Sequence, residues 1–270
     1  MQIESFLDVI NACRFCFMCR HIDTTSSVSF RESDIPRGRA LILDRVRMNG
    51  IRELTEHPDF VTTMYDCALS GACRYHCVSH YDESGLVLAA RRDIVEAGLV
   101  PADVQALADT LATAPEPVLS GDPGDDAGDV LYVAQTDSSE VTAAFAQIMA
   151  QAGVSYRTLQ VGETGKALAV LGFIALAAQQ ASKVRDAIVA SGCGTVVISC
   201  PATFDALKND FPGLGAELTG LDVQHSSSYL LGLAKAGKLA GRAAATQAYY
   251  IDSDFLRNYN EIMAEPRELL

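Results

Sequence analysis

Apolar positions in the first 115 residues recur at helical spacing, most clearly over Gly85–Ala97 and Ala102–Ala112, with Gly98 and Pro101 punctuating between them. Irregular stretches interrupt this pattern around two groups of cysteines. The stretch from Pro115 to Asp129 is rich in Pro, Gly and Asp and poor in apolar residues, so it reads as a linker. Beyond it the pattern changes. Short strands are expected at Val130–Ala134, Tyr156–Gln160, Thr195–Cys200, Leu221–His225 and Ala248–Ile251. Helices are expected between them at Glu140–Ala152, Lys166–Ala190 (one helix or two) and Tyr229–Ala236. Strands alternating with helices predict a mostly parallel sheet with helices on both faces. The fold class is therefore α/β overall: a helical domain over residues 1–115, a linker over 116–128 and an α/β domain over 129–270.

Composition narrows the function classes. The chain has 270 residues, 49% of them hydrophobic, which is enough for one large core or two modest ones. Met1–Ile10 has no basic start and carries Glu4 and Asp8, unlike a signal peptide. The longest apolar run, Ala167–Ala178, is too short to span a membrane. A soluble, cytoplasmic protein is the expectation. The net charge of −13 argues against a nucleic-acid partner, because phosphate binding needs a basic surface. Yet eight arginines fall between Cys13 and Arg52, and no lysine precedes Lys166. Fixed positive charge there would favour the reduced state of an electron acceptor beside it.

That acceptor is suggested by the eight cysteines. Cys13, Cys16 and Cys19 form a C-x₂-C-x₂-C run; Cys67, Cys73 and Cys77 form a second group; Cys193 and Cys200 lie far downstream. In a reducing compartment such clustering points to metal or redox chemistry rather than disulfides. Three thiolates at this spacing can hold three corners of a cubane, with the fourth iron held from elsewhere. Zinc is the alternative, but its motifs usually present cysteines in pairs. His21, His76 and His80 near these groups read as surface residues or outer donors.

The first run resembles the bacterial two-cluster ferredoxin pattern C-x₂-C-x₂-C-x₃-C-P, used twice, in which each run's fourth cysteine serves the other run's cluster. On that template Asp23 stands where the first run's fourth cysteine belongs, and Ser70 replaces the second run's second cysteine. The resemblance implies one complete set for a [4Fe–4S] cluster, Cys13, Cys16, Cys19 and Cys77. It leaves Asp23, Cys67, Ser70 and Cys73 as an incomplete second set, either a second cluster or buried relics. Ile35–Leu41 (IPRGRAL) is similar to a segment of the iron–sulfur subunits of glycolate oxidase, anaerobic glycerol-3-phosphate dehydrogenase and heterodisulfide reductase. That resemblance implies a ferredoxin-like domain at the N-terminus and a cysteine-rich Cys-Cys-Gly domain after it. The latter's motifs look degenerate: Thr136, Glu163-Thr164-Gly165 and Cys200-Pro201-Ala202-Thr203 stand at its ligand positions. Tyr249–Leu270 resembles the start of a second such repeat, with Asp254 in place of its cysteine.

The implied role is an electron-transfer subunit of a flavin-dependent oxidoreductase complex, rather than the substrate-converting subunit. Its partners would be a flavoprotein dehydrogenase carrying FMN or FAD, and an electron-transfer flavoprotein or ferredoxin. Phe15, Phe17 and Met18 would supply an apolar docking face, and Arg14, Arg20 and Arg74 a basic rim. The alternative is a structural or assembly subunit with a dispensable cluster. Two weaker readings are a disulfide reductase using Cys193 and Cys200, and a phosphate loop at Gly162–Lys166, which lacks the full spacing of that motif.

Overall fold

A computed structural model describes residues 1–121, 128–241, 247 and 249–270. Its contacts divide the chain into two units, Met1–Ala112 with Ala167–Ile174, and Thr113–Lys166 with Ala175–Leu270.

The first unit is helical. Its longest helices are Pro36–Asn49, Glu83–Glu96 and Ala102–Ala112, joined by short helices at Leu7–Ala12, Ser26–Ser29, Arg52–Glu56, Pro58–Tyr65 and Ala72–His76. Ile3, Ile10, Leu43, Met64, Leu86 and Ile94 lie in one core. Two buried polar side chains hold this core to its loops. Asp93 accepts the backbone N–H groups of Gln2 and Ile3, at 2.6 and 3.0 Å, and so docks the start of the chain. Arg91 donates to the carbonyls of Met64, Tyr65, Cys67 and Val170, at 2.9 to 3.3 Å. That fork fixes the approach to the second cysteine group, and satisfied buried donors of this kind make a loop costly to move.

The second unit carries a five-stranded sheet in the order β1-β3-β2-β4-β5, where β1 is Val118–Ser120, β2 Val130–Gln135, β3 Arg157–Val161, β4 Thr195–Ile198 and β5 Asp222–His225. All neighbours are parallel except β1 with β3. Alternating residues feed two cores. Leu131, Val133, Val196 and Ile198 pack with Val184, Ile188 and Phe204 on one face. Val130, Tyr132 and Val197 pack with Phe145 and Met149 on the other. The mostly parallel sheet agrees with the sequence reading, and β1 lies in the stretch read there as a linker. The Lys166–Ala190 region is two helices, Lys166–Leu171 and Ile174–Ala190, separated at Gly172, whose φ is +97°. The expected strand Ala248–Ile251 is not one: Ala248 lies outside the described residues, and Tyr249–Ile251 have no regular structure.

Candidate metal centre

Two loops carry six of the eight cysteines, and both turn in the same way. Phe15 lies two residues after Cys13 with φ of +51°, and its backbone N–H bonds the Cys13 sulfur. Leu69 lies two residues after Cys67, also with φ of +51°, and its N–H bonds the Cys67 sulfur. A branched or aromatic residue in left-handed backbone costs roughly 1–2 kcal/mol. The same strain at equivalent places in both loops marks them as built around their sulfurs.

Cys13, Cys16, Cys19 and Cys77 line one open hollow, together with Cys73, Ile22, Pro36, Met18 and Tyr81. Cys13 feels the thiols of Cys77 and Cys16, and Cys19 those of Cys13 and Cys16. Burial pushes the Cys13 and Cys19 thiols up, and these neighbouring sulfurs add to it. Backbone N–H groups work the other way: Phe15 on Cys13, and Arg37 on Cys19. Arg37 is the second residue of the helix Pro36–Asn49, so Cys19 faces the positive end of a 14-residue helix, which favours a thiolate. The helix starts here because Pro36 suits a first helical position. The residue after Arg37 must be Gly38, since a Cβ there would come within 2.2 Å of the Glu32 carbonyl oxygen.

The second set is organised differently. Asp23, Cys73 and Glu83 are buried with their ligand-type atoms within 4.8 Å of one another. The Cys73 thiol donates to Asp23 at 3.8 Å. Burial raises the Cys67 thiol to about 11 and raises Cys73 further, with the charges of Glu83 and Asp23 adding to the latter. A cation already sits in this cluster. Arg39 has no solvent exposure; it donates to Glu83 at 2.6 Å and lies 3.7 Å from Asp23. Burial raises the Glu83 carboxyl, and Arg39 only partly offsets this. Ser70 accepts a hydrogen bond from the Ala72 N–H at 3.4 Å, at the start of the helix Ala72–His76. Sequence reasoning counted Arg39 only among the arginines after Cys13 and in the IPRGRAL segment, and it missed Glu83, which looks like an ordinary acidic residue in the first turn of a helix.

Around the hollow, Phe15, Phe17 and Met18 are at least half exposed. The Arg37 guanidinium lies 4.2 Å above the Phe17 ring. Two of the expected rim arginines have acidic neighbours, Arg20 with Glu32 at 3.6 Å and Arg74 with Asp82 at 3.7 Å.

In the second unit, Thr136, Glu163-Thr164-Gly165 and Cys200–Thr203 lie just beyond the carboxyl ends of β2, β3 and β4, where the strand order reverses. Gln135 donates to Thr203 at 2.5 Å, and Glu163 accepts the N–H groups of Thr164 and Gly165. Lys166 does not serve a phosphate loop, because it is paired with Asp205 at 2.5 Å and Asp210 at 2.8 Å. Cys193 and Cys200 sit at opposite ends of β4, roughly 20 Å apart at the rise of an extended chain, so they cannot act as a dithiol. His225 is structural: its ring bonds Ser227 at 2.8 Å and the Ser199 carbonyl at 3.1 Å.

No helix among the described residues is long and apolar enough to cross a membrane. The chain is 24% identical over 238 residues to the EtfAB:quinone oxidoreductase of Syntrophomonas wolfei, covering 77% of this chain and 33% of that protein. It is 29% identical over 136 residues to the probable iron-sulfur-binding oxidoreductase FadF of Bacillus subtilis, covering 49% of this chain and 19% of that protein. It thus spans a third or less of the length of these curated relatives. No family model and no solved structure matches it. The chain is a distant relative of oxidoreductases, one of them named for binding an iron–sulfur group.

Proposed function

We propose that this chain is an iron–sulfur electron carrier that holds one [4Fe–4S] cluster on Cys13, Cys16, Cys19 and Cys77. The observation that supports this best is that Cys13, Cys16, Cys19 and Cys77 line one largely apolar hollow, with Cys73 beside them. The donor chemistry fits the group, since four thiolates are its usual ligands and N–H groups directed at sulfur stabilise their charge. When bound, the cluster supplies a one-electron redox centre. The chain's own residues do the rest. Phe15 and Arg37 donate N–H groups to the ligand sulfurs, and Ile22, Pro36 and Met18 limit water.

In this reading residues 1–115 form a ferredoxin-like domain, and residues 129–270 a degenerate Cys-Cys-Gly domain that serves as scaffold. The second set does not hold a cluster. Asp23 is engaged by the buried Arg39 guanidinium and by the Cys73 thiol, and Glu83 by Arg39, so these groups already satisfy one another without iron.

The electrons come from a flavin in a partner chain, because a one-electron centre cannot split the electron pair of an organic substrate. The name of the Syntrophomonas relative points to an electron-transfer flavoprotein as that donor. The partner docks on Phe15, Phe17 and Met18. Rapid mixing of the anaerobically purified chain with reduced electron-transfer flavoprotein should bleach the cluster's visible absorbance. An iron-loaded chain that this donor leaves oxidised would overturn the proposed partner.

A further inference from the structure

The loop after Cys77 ends in a tyrosine whose hydroxyl has no partner among the described residues. Tyr81 is 3% exposed and lines the same hollow as the four cysteines, yet its Oη is buried and unbonded. Its backbone is held on both sides: the His80 N–H donates to the Cys77 carbonyl, and the Glu83 N–H to the Tyr81 carbonyl. The turn that places Cys77 therefore also places the backbone of Tyr81. The hydroxyl feels the charge of Glu83 first and those of Cys13 and Cys19 after it, and Tyr81 lines the hollow that these two cysteines also line.

A phenylalanine would fill this space without stranding a polar atom, since an unsatisfied buried hydroxyl forfeits its hydration for nothing. A donor with no acceptor among the described residues, on a side chain that lines a hollow walled by sulfur, calls for an acceptor that occupies the hollow. We propose that the Tyr81 hydroxyl donates a hydrogen bond to a sulfur of the iron–sulfur group and raises its reduction potential. This rests on the cluster assignment above. A donor beside the sulfurs stabilises the reduced form, whose extra electron resides largely on the cluster, more than the oxidised form. Tyr81 is thus a tuning residue, not a ligand.

The test compares Tyr81→Phe with the unaltered chain, both purified anaerobically, by iron and sulfide content and by EPR-monitored redox titration. The inference expects equal iron in the two proteins. It also expects the variant's reduction equilibrium to shift about tenfold toward the oxidised form, a fall of about 59 mV for one electron. Equal iron with unchanged potential overturns the inference and leaves the cluster standing. An unaltered chain without iron overturns the cluster and the inference together. Should Tyr81→Phe fail to fold, 3,5-difluorotyrosine at position 81 keeps the ring and strengthens the donor. The potential must then rise, and an unchanged value refutes the role.

Discussion

Arg39→Met removes the cation from a site where it has no substitute. Arg39 has no solvent exposure, and its partners Glu83 and Asp23 are both buried. Methionine fills a similar volume, so the cost comes from stranding two carboxylates rather than from a cavity. Breaking a buried pair by removing one partner costs about 3–5 kcal/mol. The pH dependence identifies the cause. Burial raises Glu83, so its folded pKa lies above its unfolded value, and the stability tied to its neutral form is present at low pH and lost as pH rises through the folded pKa. Without Arg39 that pKa climbs further and the penalty at neutral pH grows. Urea unfolding of the intact chain should therefore give a defect of about 3–5 kcal/mol at pH 7.5 that shrinks toward pH 5. Arg39→Met with Glu83→Gln should recover part of it. A defect below about 1 kcal/mol, or one equal at both pH values, would refute the buried-charge argument.

Three further outcomes follow from the site. Cys73→Ala should keep the full iron content of the unaltered chain, because Cys73 belongs with Asp23 and Glu83; loss of about half the iron would make the second set a cluster site. Gly38→Ala places a methyl against the Glu32 carbonyl and should cost about 1–3 kcal/mol while disturbing the Cys19 N–H contact, so thermal stability and iron content should both fall. Charge reversal at Arg14 and Arg20 should slow electron uptake from a flavoprotein in a salt-dependent way with iron unchanged, read by stopped-flow at low and high ionic strength.

The periodic parts of the fold were legible in the sequence. Ala102–Ala112 has the bounds its pattern gave, and Thr195–Ile198 is a strand because its β-branched run is flanked by turn residues. The misses have physical causes. β1 is three residues in a Pro- and Gly-rich stretch and exists only through pairing with β3, a contact no local pattern encodes. The sequence spacing divided the cysteines into two sets, and Cys13, Cys16, Cys19 and Cys77 line one hollow together with Cys73 of the other set. It could not reveal what occupies the second. Arg39 and Glu83 are 44 residues apart, and only tertiary packing makes them a buried pair. Tyr81 escaped notice for the same reason, since the meaning of a tyrosine hydroxyl depends on what it faces.

The central claim is one [4Fe–4S] cluster on the first set, and metal content tests it most directly. Iron and acid-labile sulfide should be counted in anaerobically purified chain, with EPR of the dithionite-reduced protein. The account predicts about four irons and four sulfides per chain, a single reduced-cluster signal, and loss of both in Cys16→Ala. Iron near zero, or a Cys16→Ala variant that keeps its iron and signal, would contradict it.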